Sequence, residues 1–234
     1  MFDTSLGGDV TSVNASDWPF YEQHFAAARL RHYLTDSSGD HTRAVALYEW
    51  NTATSAAFWE SLSYLEVALR NAINARMTVI HATKMRPGHW IFDDARELGR
   101  DARGPGRHNQ PYTDVQTAID RVRRNGMPLD PGQIISEISF GFWHQMVSRA
   151  RRALWPDLAA AFPYAPNRSQ ATIHDPTARL RALRNRIGHH HRIWALDLTA
   201  RYNDILDITG SIDPDLRTWI GARTRIPTML NNRP

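Results

Sequence analysis

The sequence predicts an all-α fold, a helical bundle with a long central helix and additional helices. Over residues 42–82 apolar side chains recur every three or four positions, and this stretch contains neither proline nor glycine. Such periodicity is typical of one buried helix face. Several other segments join the same periodicity to capping residues, and no segment shows the alternation of a strand. The predicted core positions of the long helix are Phe58, Leu62, Leu65, Leu69 and Ile73.

The predicted domain organisation is simple. Residues 1–16 are rich in Gly, Ser, Thr and Asp and lack periodicity, so we expect a flexible leader. Residues 17–234 are predicted to form a single domain, since a chain of this length can bury one continuous core. A basic, glycine-rich loop is predicted over about residues 99–110.

The first half of the chain is predicted to be helical in two stretches. A first helix spans residues 18–34, and either Asp40 or Thr42 caps the next one. The long helix over residues 42–82 is predicted either as one helix or as two with a break near residues 51–54.

The second half is predicted to contain shorter helices between breaker-rich segments. Asn125-Gly126 ends one helix, and Gly141 breaks the next or packs closely within it. Asp175 as N-cap and Pro176 at the first position start the helix that carries the chemistry. The other predicted helices span residues 113–124, 133–154, 197–209 and 214–223, with a connector over 155–175.

The composition excludes several classes of protein. The chain has no cysteine, which excludes disulfides and Cys-ligated zinc and favours the cytoplasm. It has no apolar run of membrane-spanning length and no secretory signal at its start. Lys84 is the single lysine among 28 basic residues, and the net charge is +4. The resulting excess of arginine is compatible with a nucleic-acid partner, although a GC-rich genome would also produce it.

One cationic segment, residues 179–192, contains the groups that predict a chemical function. Residues 179–192 contain five arginines, three consecutive histidines and no acid. Leu180, Leu183 and Ile187 repeat at helical spacing, so one face can lie in a core while the others present guanidinium groups. Gly188 weakens the helix where the imidazoles begin. Rigid cations beside groups that exchange protons near neutral pH suit a phosphate-containing substrate.

The segment offers an acid–base reading that needs no metal. A helix end at Gly188 would let a histidine fold back towards Arg184. One imidazole could then deprotonate a ribose 2′-hydroxyl, another could protonate the leaving 5′-oxygen, and the arginine could stabilise charge on phosphorus. A structural reading stays open, in which His and Arg satisfy the last carbonyls of the helix.

A metal centre and a cofactor are not predicted. Adjacent histidines on a helix point in different directions, and no carboxylate lies between Thr177 and Leu196, whereas helical zinc sites pair His at i and i+4 with an acid. The chain also lacks a cysteine nucleophile, a Gly-x-Ser-x-Gly elbow, a Walker loop and a dinucleotide fingerprint.

Three blocks of the sequence carry further motifs. Leu183–His190 fits the pattern R-N-x-x-[A/G]-H-H. Leu47–Asn51 with Glu66–Asn71 fits Y-x-W-N…S…E-V-x-x-R-N, and Ile138–Trp143 is close to L-S-F-G-F-W. In their order, and over most of the chain from about residue 30 onwards, the three blocks resemble the Abi-like (abortive infection) branch of the HEPN superfamily.

This resemblance implies a HEPN-like helical bundle, usually a homodimer, and a metal-independent endoribonuclease of toxin or phage-defence type. Arg184 and His189 match the catalytic Arg and first His of the signature, with Asn185 as the polar companion. The chain departs from the family at His191, where relatives often carry Glu or Gly. The catalytic histidine therefore stays open between His189, which we favour, His190 and His191.

Further residues are predicted to contact RNA. Those of the upstream block, Glu66, Arg70 and Asn71, either face the RNA-binding cleft or brace the helical bundle as a buried polar network. The expected partners are RNA, a second copy of the chain and an antitoxin or defence-system protein, with no membrane. Two other functions stay open: a non-catalytic RNA- or nucleotide-binding module, and a protein-interaction module of a toxin–antitoxin pair. The predicted RNA-binding residues are Glu66, Arg70, Asn71, Arg186 and Arg192.

Overall fold

The computed structural model describes residues 18–104 and 107–234, and the leader predicted over residues 1–16 lies outside them. Every regular element of the described residues is helical and none is a strand, which confirms the all-α class. Short 3-10 turns connect some of the helices. The α-helices are α1 (Trp18–Phe25), α2 (Ala27–Asp36), α3 (His41–Thr83), α4 (Gln110–Arg124), α5 (Pro131–Glu137), α6 (Phe140–Met146), α7 (Trp155–Leu158), α8 (Gln170–Gly188), α9 (Leu198–Ile212), α10 (Pro214–Arg223) and α11 (Ile226–Asn231).

Helix α3 is the long helix that the periodicity predicts. It runs for 43 residues without interruption, so of the two alternatives the single helix is confirmed and the break near residues 51–54 is not found. Phe58, Leu65 and Ile73 are fully buried on one face. Among the described helices none has the length and apolar character that a membrane crossing requires.

The chain divides into two compact units, one with residues up to 57 together with residues 225–234 and one with residues 58–224. The prediction of one domain over residues 17–234 stays a prediction. In the first unit the predicted helix over residues 18–34 is interrupted at Ala26, whose φ is 63°. Asp40 caps α3, because its Oδ1 accepts a hydrogen bond from the Arg43 backbone N–H at 3.0 Å.

The C-terminal segment of the first unit contains α11, which the sequence pattern did not predict. The indole Nε1 of Trp50 donates a hydrogen bond to the carbonyl oxygen of Met229 at 2.6 Å. Arg233 lies over the ring of Trp50, 5.8 Å from its centroid, and its guanidinium contacts Asp36. These contacts attach α11 to α3 and α2 within this unit.

In the second unit the prediction of one helix over residues 133–154 is wrong. Helix α5 ends at Glu137, Ile138 and Ser139 are extended, and α6 starts at Phe140. The break thus precedes Gly141. Residues two apart in extended backbone point to the same side, so Ile138 and Phe140 can both be buried. The aromatic residues of α6, Phe140, Phe142 and Trp143, are fully buried.

The predicted start of α8 at Asp175-Pro176 is also wrong. The helix begins at Gln170 and contains Pro176 in its interior. The Gln170 side-chain amide donates hydrogen bonds to the carbonyl oxygens of Val147 and Ser148 at 3.1 and 2.7 Å, which anchors an earlier first turn. Pro176 has no backbone N–H to donate within the helix, and α8 nevertheless continues to Gly188.

The connector predicted over residues 155–175 is wrong at its start, because α7 and a 3-10 turn occupy residues 155–161. Several other boundaries follow the predictions. Helix α4 ends where Asn125-Gly126 is expected to stop it, with Gly126 at a φ of 65°. Asp197 caps α9 and Asp213 caps α10 through hydrogen bonds to backbone N–H groups. The described residues of the predicted basic loop, 99–104 and 107–109, contain no helix or strand.

Candidate active site

The candidate site is built on the C-terminal half of α8. The predicted apolar face is confirmed, because Leu180, Leu183 and Ile187 are at most 8% exposed. Burial of this face fixes the rotation of the helix about its axis, so the remaining faces carry the arginines. The helix ends at Gly188, as the sequence predicts.

A tight backbone turn follows, and three consecutive histidines form it. The His190 N–H donates to the Ile187 carbonyl at 2.9 Å, and the His191 N–H donates to the Arg186 carbonyl at 2.8 Å. This pair of bonds is the Schellman pattern of helix C-termini. The residue in the left-handed conformation is His190, with a φ of 55°, whereas Gly188 does not have a positive φ. The glycine ends the helix, and a histidine makes the reversal.

The turn brings two of the three imidazoles together. The ring centroids of His189 and His191 are 5.9 Å apart, with 35° between the ring planes. All three histidines are exposed. The chain is held in this reversal by Arg186, whose Nε and Nη2 donate to the Arg192 carbonyl at 3.2 and 2.7 Å. Arg186 therefore holds the segment that follows the helix, while backbone N–H groups of the histidines satisfy the last carbonyls of α8.

Arg184 lies one helical turn before Gly188 and packs on a tryptophan that the sequence pattern did not single out. Its guanidinium carbon is 5.2 Å from the ring centroid of Trp59. A Cβ placed on Gly188 would lie 4.0 Å from the same indole ring. Trp59 thus contacts both the arginine and the glycine that precedes the first histidine.

Glu66 of α3 provides a carboxylate that interacts with Arg184, although the segment over residues 179–192 has no acid of its own. Burial raises the pKa of Glu66, while the charges of Arg184 and Arg70 and a hydrogen bond from the Phe140 backbone N–H act in the opposite direction. Glu66 is partly buried and interacts electrostatically with one arginine of α8 and one of its own helix. Its negative charge therefore attracts the Arg184 guanidinium.

The structure brings only some of the predicted site residues to this cluster. Glu66 interacts electrostatically with both Arg184 and Arg70, whereas Asn71 on α3 and Asn185 on α8 are exposed side chains. The interaction of Glu66 with Arg70 agrees with both predictions for the upstream block, namely contact with RNA and bracing of the bundle. A half-buried polar network can serve either purpose.

The arginines of the segment divide by role. Arg179 donates from Nε to Oδ2 of the buried Asp204 at 3.0 Å, and so it attaches α8 to α9. Arg192 stacks over Trp194 at 5.7 Å. The Nε groups of Arg184 and Arg192 are buried and make no hydrogen bond with the described residues. Arg184 differs from Arg192 in that it also interacts electrostatically with the Glu66 carboxylate.

A second polar cluster, which the sequence did not indicate, lies beside α6. The rings of His144 and His174 are 5.4 Å apart, and His174 is one of the residues of α8. Burial, together with the positive charges of Arg181 and His174, lowers the pKa of His144 to about 4. Trp59 and His174 could both have been suspected from helical spacing, since each lies seven residues before Glu66 or Arg181 on the same helix face.

The described residues contain no group of three or more His, Asp or Glu side chains arranged to hold a metal ion. The functional groups of the candidate site are imidazoles, a guanidinium, a carboxylate and an indole.

The chain was also compared with protein-family models, curated proteins and solved structures, and none of them matches. The resemblance to the Abi-like branch of the HEPN superfamily accordingly stays a prediction carried by the three sequence blocks.

Proposed function

We propose that this chain is a metal-independent endoribonuclease of the toxin or phage-defence type, which cleaves RNA by 2′-hydroxyl attack. The observation that carries the proposal is the turn at the end of α8. It sets His189 and His191 5.9 Å apart, directly after the helical turn that holds Arg184. Two imidazoles and one guanidinium are the groups that transesterification of RNA requires.

In the proposed reaction one imidazole is neutral and accepts the proton of the ribose 2′-hydroxyl. The 2′-oxygen attacks phosphorus, and the bond from phosphorus to the 5′-oxygen breaks. The second imidazole, in its protonated form, gives its proton to that 5′-oxygen. The products are a 2′,3′-cyclic phosphate and a free 5′-hydroxyl, and all atoms and protons are accounted for.

Arg184 is proposed to stabilise the negative charge that grows on the non-bridging phosphate oxygens. Its stacking on Trp59 and the nearby Glu66 carboxylate favour one orientation of the guanidinium. An oriented donor stabilises a transition state more than a freely rotating one, because it does not have to reorganise during the reaction.

His189 and His191 are proposed as the acid–base pair, and His190 as the residue that makes the turn between them. Since the pair must hold one proton between its two members, we expect a bell-shaped dependence of cleavage rate on pH. Replacing either histidine should remove one limb of the bell.

The test is cleavage of a labelled single-stranded RNA in excess EDTA. We expect the wild type to cleave and Arg184→Ala to be slower by about 100- to 1,000-fold. His189→Ala and His191→Ala should each lose about 100- to 10,000-fold. Arg123→Ala is the matched control, because it removes an arginine that is 62% exposed on α4. An RNA with a 2′-deoxy sugar at the cleaved position should remain intact.

Equal cleavage by the wild type and the histidine variants, or loss of cleavage in EDTA, would contradict the mechanism. Salt-sensitive RNA binding without any product would instead favour a non-catalytic binding module.

A further inference from the structure

The exposed indole of Trp59 is a second feature of the candidate site. Trp59 is 41% exposed, in contrast to Phe142 and Trp143 of α6, which are fully buried. A large aromatic ring that remains this exposed has surface available for a ligand. Trp59 lies on α3 about two helical turns before Glu66, on the same face of the helix.

The surroundings of the ring indicate what kind of ligand it suits. The Arg184 guanidinium lies over the indole, with its central carbon 5.2 Å from the ring centroid. The last residue of α8, Gly188, approaches the ring edge so closely that a Cβ there would be 4.0 Å away. A planar group on this ring would therefore lie beside the group proposed to bind phosphate and the turn that bears His189.

Aromatic rings beside cationic phosphate-binding groups are the usual platform for an unpaired base, because every base has a π-face that can stack. The guanidinium on the indole fixes the orientation of the ring and adds its own cation–π attraction. A base on Trp59 with its phosphate near Arg184 uses both groups at once.

We infer that Trp59 is a base-stacking residue of the proposed RNase site and that its substrate is single-stranded RNA. This inference rests on the proposed function. In a duplex the bases are already stacked on each other, so a base reaches an indole only from a loop, bulge or single strand. The indole therefore makes the site selective for unpaired RNA.

The chain contains a matched control for this inference. Trp219 on α10 is 40% exposed, and Arg223 lies 4.3 Å from the centroid of its ring. It is the same combination of a half-exposed indole and an arginine, but its ring packs against Tyr64, and it lies on a helix outside the segment that bears the histidines.

The test measures the affinity of the full chain for a labelled 2′-O-methyl RNA strand, which has no free 2′-hydroxyl and cannot be cleaved. We expect Trp59→Ala and Trp59→Leu to weaken single-strand binding by about tenfold or more, since stacking on one base is of that order. Trp59→Phe retains a π-face and should lose clearly less. Trp219→Ala should bind like the wild type, and Trp59→Ala should leave the affinity for a duplex of the same sequence unchanged.

The comparison of Trp59→Leu with Trp59→Phe keeps the test valid if removal of the side chain disturbs folding, because both variants fill the space with an apolar group. Equal affinities of the two variants, or equal losses at Trp59 and Trp219, would overturn the inference. If the wild type cleaves RNA in EDTA while Trp59→Ala binds normally, only the stacking role is wrong. If the wild type neither binds nor cleaves RNA, the proposed function fails as well.

Discussion

His190 shows how a single residue shapes the candidate site. Its φ of 55° lies in the left-handed region, which costs an L-residue about 1–2 kcal/mol, although histidine is found there more often than most residues. Helices usually make this reversal with glycine, and a glycine is present two positions earlier. The chain instead uses the middle histidine as the hinge, which leaves its two neighbours side by side.

We therefore predict that His190→Gly stabilises the fold by up to about 1 kcal/mol, because relief of strain exceeds the added entropy of the unfolded chain. For a chain of this length that raises the melting temperature by about 2–4 °C. His190→Ala retains the Cβ and should give no such gain. Both variants should cleave RNA within about twofold of the wild type if the imidazole of His190 takes no part in proton transfer. A loss as large as that of His189→Ala would assign the chemistry to His190.

At the level of helices, the packing of α8 on α9 holds the candidate site in place. Asp204 of α9 is 7% exposed and receives two arginines, Arg179 from α8 and Arg201 from its own helix. A buried carboxylate of this kind offsets its desolvation through both cations, and removing its charge leaves them without that partner. The arginine that opens the cationic segment is thus part of the helix packing.

Asp204→Asn is expected to destabilise the chain by about 3 kcal/mol, as is typical when one partner of a buried ion pair is removed. The control is Asp207→Asn on the same helix, whose carboxylate is 65% exposed and pairs with Arg217 at 2.9 Å. Exposed pairs contribute about 0–1 kcal/mol, so that variant should hardly change stability. Urea unfolding of the two variants measures the difference, and equal midpoints would contradict the prediction.

Across the chain, buried titratable groups make folding depend on pH. His144 is partly buried beside Arg181 and His174, and its pKa falls from 6.5 to about 4 in the folded chain. The unfolded chain therefore binds a proton at this residue at a higher pH than the folded chain does. By linkage, the free energy of unfolding is not reduced by His144 above the ordinary pKa of histidine, and it decreases as the pH falls towards 4.

We predict that acidification from pH 7 to pH 4 costs the wild type up to about 3 kcal/mol through this group, because one pKa unit corresponds to about 1.4 kcal/mol. His144→Phe has a similar shape and no titration, so it should lose less stability over the same range. Because burial raises the pKa values of Glu66 and Asp114, those two carboxyls favour the folded state as the pH falls, which opposes the effect of His144. Both carboxyls are present in the wild type and in His144→Phe, so the difference in stability between these two proteins reports on the histidine alone. Parallel curves of stability against pH would rule out this role.

Local patterns were sufficient for much of the fold. The long helix, the apolar face of α8, its end at Gly188 and the cap at Asp40 all depend on residues within a few positions of each other. Helical periodicity and capping are local physics, so one sequence is enough to predict them. The errors at Ile138 and at Pro176 arose where distant groups decide the backbone, namely core burial and the bonds of Gln170.

The sequence determined the residue types of the candidate site: an arginine, three histidines and a helix end that separates them. Only the tertiary structure decided how these groups are used. It selected His190 as the reversal, paired the rings of His189 and His191, placed Glu66 and Trp59 of α3 beside Arg184, and occupied Arg179 with Asp204. The physical reason is that hydrogen-bonded turns and caps depend on neighbours in the chain, whereas charge pairing, stacking and burial depend on distance in space.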